Sequence, residues 1–220
     1  MNKAWSELNN AFQAQIKKEA SFRSGIETLF NLRNEMFRII LSFKKNLSRN
    51  DFDAMPYVNA RGYHSKTIAY SVWHIFRIED IVSHTLINGD GQIFFIGGYQ
   101  KRINSPIITT GNELAKYQIA EFSKQLNLEE LYSYISEVKE STESIISRLN
   151  YASLKNHIPE ERKQNLIALN VVSNDENAKW LIDYWCGKDI YGLIKMPFSR
   201  HWIMHTEASL RIKTGIKGNI

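Results

Sequence analysis

The chain has 220 residues, 43% of them hydrophobic and 23% charged, which fits one globular domain, residues 1–220, with a sizeable core and excludes a disordered chain. One cysteine, Cys186, excludes an intramolecular disulfide framework and a Cys-rich zinc module. The net charge of +5 is spread among acidic residues instead of forming a basic arm, so no nucleic-acid partner is expected.

The N-terminus has no apolar signal core, and no stretch approaches the ~18 apolar residues of a membrane span. A cytoplasmic protein without a membrane partner is therefore expected.

Four prolines and long stretches of 3.6-residue period predict an all-α chain. Residues 4–20 form an N-terminal helical extension through Trp5, Leu8, Phe12 and Ile16, and its apolar face suggests a homodimer. A second run over 21–47 carries Phe22, Ile26, Leu29, Met36 and Ile40, and no breaker separates the two. After a loop around Asp51 to Gly62, Ser65 is read as the cap of a helix ending before Asn88-Gly-Asp-Gly91. Residues 89–111 read as a long irregular crossover, a type of loop that is often functional.

A short helix is predicted over 112–125 and a stronger one from an Asn127 cap to Leu149. Pro159 opens a helix to Val171, Ser173 caps one through Tyr184, and the last runs from Phe198 to Ile212.

That last helix holds His201 and His205. At i, i+4 on a helix they lie about 40° apart and roughly 6 Å along the axis, so both imidazoles leave one face. This geometry can close two corners of a metal site. His74, among apolar neighbours on its own helix, is the best third ligand. Three neutral histidines with an open position form a catalytic rather than a structural type of site.

The other candidates read as structural. His64 is expected to be solvated and His157 to lie on the surface. His84 stands about 15 Å beyond His74 along one helix, too far to share an ion. Glu79, Asp80 and Glu207 fall on other faces than the histidines, and Arg77, Glu79 and Asp80 are read as ion-pairing or orienting groups. Cys186 reads as a packed thiol.

Trp73-His-Ile-Phe-Arg-Ile-Glu-Asp80, together with the His201 and His205 pair, resembles the DinB-like family. The order of elements agrees from about residue 20 to 213. The resemblance implies a four-helix bundle with a long crossover, extra short helices and a divalent metal, often nickel or zinc, with iron also suited to such ligands. His74, His201 and His205 carry over as those ligands. It also implies a metal-dependent enzyme, a thiol S-transferase or hydrolase, acting on a small molecule or a low-molecular-weight thiol. The alternative is a non-catalytic metal-binding or stress-response bundle. The N-terminal helix, the 89–111 connection and the segment around 150–190 depart from the compact pattern.

Overall fold

In the computed structural model, which describes residues 2–218, the chain is all-helical. The helices run in order α1 (Lys3–Gln15), α2 (Phe22–Asn46), α3 (Arg49–Asp53), α4 (Ile68–Asp80), α5 (Ile93–Ile96), α6 (Tyr99–Ile103), α7 (Tyr117–Gln125), α8 (Leu128–Arg148), α9 (Glu160–Ala168), α10 (Trp180–Cys186), α11 (Ile190–Lys195) and α12 (His201–Lys217). Among the described residues no strand forms, apart from an isolated bridge between His157 and Asp189. None of these helices is long and apolar enough to cross a membrane.

Four long helices carry the architecture. α4 packs on both α8 and α12, and α2 packs on the same two. Every residue of α4 from Ile68 to Asp80 is buried, so this helix runs through the middle. Its start differs from the expectation. Thr67, not Ser65, accepts the N–H of Tyr70 and caps the helix, while the Ser65 hydroxyl turns back to the Gly62 carbonyl.

The first two helices are not continuous. The chain turns at 16–21, and α1 folds back on α2, burying Trp5, Phe12 and Ile16 within the same chain. A Cβ at Gly25 would stand 2.8 Å from the Ile16 backbone nitrogen, so the crossing needs glycine. The apolar face that suggested a homodimer is thus already covered. The 89–111 crossover also differs from its reading as wholly irregular, because α5 and α6 form inside it. Asp80 accepts the N–H groups of Ile93 and Phe94 at 2.9 Å each and so caps α5 from across the chain, a contact no local spacing announces. α7 begins only at Tyr117 and α10 only at Trp180. Turns occupy the preceding stretches, with Lys116 at a positive φ.

Two π-helical turns adjoin the long helices: Ile81–Asn88 extends α4, and Met196–Arg200 joins α11 to α12. The second contains Pro197, which has no N–H to give and disrupts the ordinary ladder. Loosened carbonyls there find other donors. The Ser199 hydroxyl donates to Lys195, and Arg33 donates to Phe198 at 3.1 Å.

Arg33 is the polar centre of the fold. Its fully buried guanidinium makes two hydrogen bonds to Glu79, at 2.7 and 2.9 Å, and another to Glu143 at 3.0 Å. Glu79 also accepts the Trp202 indole N–H at 2.7 Å, and Arg33 lies 4.3 Å from the Trp202 ring centre. Side chains of α2, α4, α8 and α12 therefore meet in one network. Removing one member of a buried pair strands the other charge and costs about 3–5 kcal/mol, whereas apolar replacement of both is far milder. Arg33→Met should accordingly lower stability by about 3–5 kcal/mol, and Arg33→Met with Glu79→Leu should recover most of that loss. Urea unfolding of the two variants against wild type checks both.

Candidate metal centre

The fold brings His74 of α4 against His201 and His205 of α12. All three side chains are buried, with ring centres 5.1 Å (His74 to His201), 4.8 Å (His74 to His205) and 4.6 Å (His201 to His205) apart. One ligand nitrogen from each ring lies within 4.8 Å of the other two. Bonds of about 2.0–2.1 Å to a tetrahedral ion require nitrogens about 3.3 Å apart, so small ring movements suffice.

Backbone chemistry prepares the first ligand. His74 Nδ1 stands 2.6 Å from the Thr110 carbonyl, which can only accept, so Nδ1 carries the proton and Nε2 keeps its lone pair. The Tyr70 ring stacks on His74 at 5.2 Å. Its hydroxyl donates to the next carbonyl along the crossover, that of Gly111. Arg77 continues the pattern with two bonds to the Ile108 carbonyl. Residues 70, 74 and 77 share one helix face and hold the carbonyls of 111, 110 and 108, a strap running the opposite way. Gly111 sits at φ +77°, and a Cβ there would come within 3.0 Å of Trp73, so the strap lies close only because this residue is glycine.

The other two ligands have no such partner. His201 Nδ1 and both nitrogens of His205 are buried and make no hydrogen bond among the described residues. Buried ring nitrogens are ordinarily paired, because an unmade bond costs about 1–3 kcal/mol. One lone pair from each of these two rings, with His74 Nε2, fits a missing electrophile, and imidazole donors suit zinc, nickel, iron or copper. Burial, the largest cause, holds His74 down at about 4 despite its bond to Thr110, with nearby Lys66 adding to the effect. Burial and the neighbouring imidazoles push His201 and His205 well below the ordinary range. All three are neutral at pH 7, the protonation state a metal requires.

A cavity of about 210 Å³ opens onto His74 and His201. Its walls include Tyr63, Asn112, Trp180, Tyr184, Trp185 and Met196, with no carboxylate among the lining side chains. Tyr63 also packs edge-on against His205 at 4.7 Å. The Trp180 and Tyr184 wall comes from α10.

The remaining candidates stay apart from the cluster. Glu79 belongs to the Arg33 network, and Asp80 caps α5 and accepts the Tyr134 hydroxyl at 2.9 Å. Glu207 accepts the backbone N–H of Asn2. His84 bonds to Asp90 at 2.8 Å and to Ser141 at 3.1 Å. That order resembles a hydrolytic triad, but Ser141 sits in mid-helix, where the amides are engaged in the helix itself and offer no oxyanion pocket. Cys186 is half-buried, and burial pushes its thiol up, away from nucleophilic chemistry. His157 is exposed, as expected. His64 is not simply solvated: it is half-buried, and its Nδ1 lacks a partner. Sequence reasoning missed Thr110, whose carbonyl sets the His74 tautomer, together with Asn112, Lys66 and the aromatic cavity. A backbone acceptor leaves no mark on residue type, so only the geometry reveals it.

Comparison with protein-family models, curated proteins and solved structures finds no match for this chain.

Two outcomes follow for the chelator-treated protein. The unfolded chain takes up histidine protons near pH 6.5, whereas folded His74 does so only near 4. Between those values unfolding binds protons, so stability is fully present above pH 6.5 and declines as pH falls toward 4, on the order of 3 kcal/mol for His74 alone. Urea midpoints across that range check the sign. At pH 7, His205→Leu removes two orphaned nitrogens and should raise stability by about 1–2 kcal/mol, which a lowered midpoint would contradict.

Proposed function

We propose that this chain is a divalent-metal-dependent enzyme whose ligands are His74, His201 and His205, built on a DinB-like four-helix bundle. The observation that carries the reading is the set of buried, neutral imidazoles with unpartnered nitrogens beside an open cavity. Mutual packing of α2, α4, α8 and α12 supports the bundle assignment, with α5, α6, α7 and the helices between 152 and 195 as additions. Zinc and nickel suit three imidazoles, and iron is compatible.

When bound, such an ion lowers the pKa of a coordinated water or thiol and supplies a nucleophile at neutral pH. The chain's own residues do the rest. Thr110 holds the His74 ring in the tautomer that presents Nε2. Tyr70 and Tyr63 keep the rings of His74 and His205 from turning. Trp202, anchored to Glu79, sets the position of α12 along α4. Transfer to or from a small thiol, or hydrolysis, are the reaction classes this arrangement supports.

One observation favours a second reading, a non-catalytic metal-binding bundle: no carboxylate base lines the cavity, and Glu79, Asp80 and Glu207 are engaged elsewhere. Zinc reconstitution and metal analysis test the site common to both. Wild type and His84→Ala should retain about one ion per chain after dialysis, and His74→Ala and His205→Ala should lose it. Absence of metal from reconstituted wild type would defeat both readings. Assay of thiol transfer and ester hydrolysis with the loaded protein then separates them.

A further inference from the structure

The cavity beside the histidines is walled without formal charge. Tyr63, Trp180, Tyr184 and Trp185 supply four aromatic side chains, and apart from two histidines and Asn112 the remaining lining residues are apolar. Tyr63 and Trp180 are among the exposed large apolar side chains of the chain, so part of this aromatic surface stands open. The cations of this region stay outside. Lys66 and Lys116 line a separate polar recess on the far side of Asn112. Arg200 acts electrostatically on Tyr63 and Tyr184, yet its own side chain is exposed and forms no part of the walls. A charged ligand entering here would give up its hydration with no counter-ion to replace it, whereas aromatic faces around a concave site favour a flat apolar body.

One polar atom of these walls is unmet. The Asn112 side-chain oxygen is buried and accepts no hydrogen bond among the described residues. An amide oxygen of this kind can only accept, so the group that satisfies it carries an O–H or N–H. Asn112 directly follows Thr110 and Gly111, whose carbonyls are held by His74 and Tyr70. The strap that orients the His74 ring therefore also places this acceptor at the cavity. A positioned acceptor in an otherwise apolar wall selects ligands that donate.

We propose that the substrate of this site is a small uncharged aromatic molecule with a hydrogen-bond donor, its ring among Tyr63, Trp180, Tyr184 and Trp185 and its donor on Asn112 Oδ1. As a substrate class this rests on the metal-centre reading, whereas the preference for such a molecule belongs to the metal-free chain as well. Cavities of roughly 150 Å³ admit a benzene ring, so one of about 210 Å³ holds a singly substituted one. A thiol or ester bearing a carboxylate or an ammonium group finds no partner on these walls.

The test titrates phenol, toluene and benzoate into metal-free protein at pH 7, followed by calorimetry and ligand-observed NMR. Phenol, uncharged at that pH like a tyrosine side chain, differs from toluene by a hydroxyl in place of a methyl group. Benzoate keeps the ring and adds a charge. Phenol should bind at least as tightly as toluene, although water holds it more strongly, and at least about tenfold more tightly than benzoate. Asn112→Leu, which breaks no side-chain hydrogen bond of the folded chain, should lower the ratio of phenol to toluene affinity by about tenfold. Trp180→Ala, at a side chain half exposed and so harmless to folding, should weaken phenol and toluene alike by about two- to tenfold. Failure of zinc to bind wild type sinks the metal centre alone, because these titrations are made without metal. Benzoate binding as tightly as phenol, an unchanged ratio in Asn112→Leu, indifference to Trp180→Ala, or no binding of either neutral ring by wild type overturns the proposal.

Discussion

The hydrogen bonds of Glu79 are the constraint on which the rest of the molecule depends. This carboxylate is fully buried, accepts two bonds from Arg33 and one from the Trp202 indole, and so ties α2, α4 and α12 at one level. Apolar packing alone is indifferent to a slide of one helix along another. A charged group that must find its donors is not, because slippage would leave a carboxylate and a guanidinium unpaired in the interior. Trp202 is adjacent to His201, and Glu79 stands five residues after His74 on the same helix. A network that fixes Trp202 against Glu79 therefore also fixes the two histidine-bearing helices in register. The network contributes position here, and its net contribution to stability is secondary.

The crossover is governed by a second polar device on the same helix. Tyr70, His74 and Arg77 hold the carbonyls of 111, 110 and 108, and Asp80 caps α5 at 93 and 94. Four side chains about one turn apart thus bind the backbone of a segment that has no long helix of its own. A loop placed over a core must have its backbone groups satisfied, and α4 supplies the donors and acceptors. The His74 tautomer is one rung of this clamp, so the geometry of that ring and the position of the loop are a single structural problem. Gly111 permits the close approach, and the positive φ there suits no other residue as well.

Legibility from the sequence follows these physical divisions. Helix content and the long elements were readable because burial of one stripe imposes a 3.6-residue period, and the His201 and His205 pair was readable because i, i+4 is a local geometry. His74 stands out for its apolar neighbours, and rise per residue then excludes His84 from sharing its ion. Placement of Glu79, Asp80 and Glu207 away from the cluster followed from helical phase, although their actual partners could not be named. The unread features were long-range or backbone-mediated: the turn at 16–21 with its close crossing at Gly25, the capping of α5 by Asp80, the two π turns and the Thr110 carbonyl. Ser65 reads as the cap, but Thr67, which carries the same hydroxyl group two residues on, is the one that accepts the Tyr70 N–H. The N-terminal apolar stripe could equally have faced a second chain; the tight hairpin decided in favour of α2.

The cluster also shows where local rules are broken and what that breaking serves. Elsewhere in α4 the ionisable groups are matched: Arg77, Glu79, Asp80 and His74 Nδ1 all have partners, and only the Ser71 hydroxyl and the Trp73 indole N–H have none among the described residues. Yet a few ångströms away His201 and His205 leave three ring nitrogens unmatched. A sequence able to place four matched polar groups on one buried helix is not short of means to match the rest. Leucine at 205 would satisfy the same packing without the desolvation cost. Unpaired nitrogens persist where the group that pairs them comes from outside the chain, and violations of local consistency concentrate at functional sites for that reason. The absence of a lining carboxylate belongs to the same logic: an acid beside the rings would pair with them and close the site.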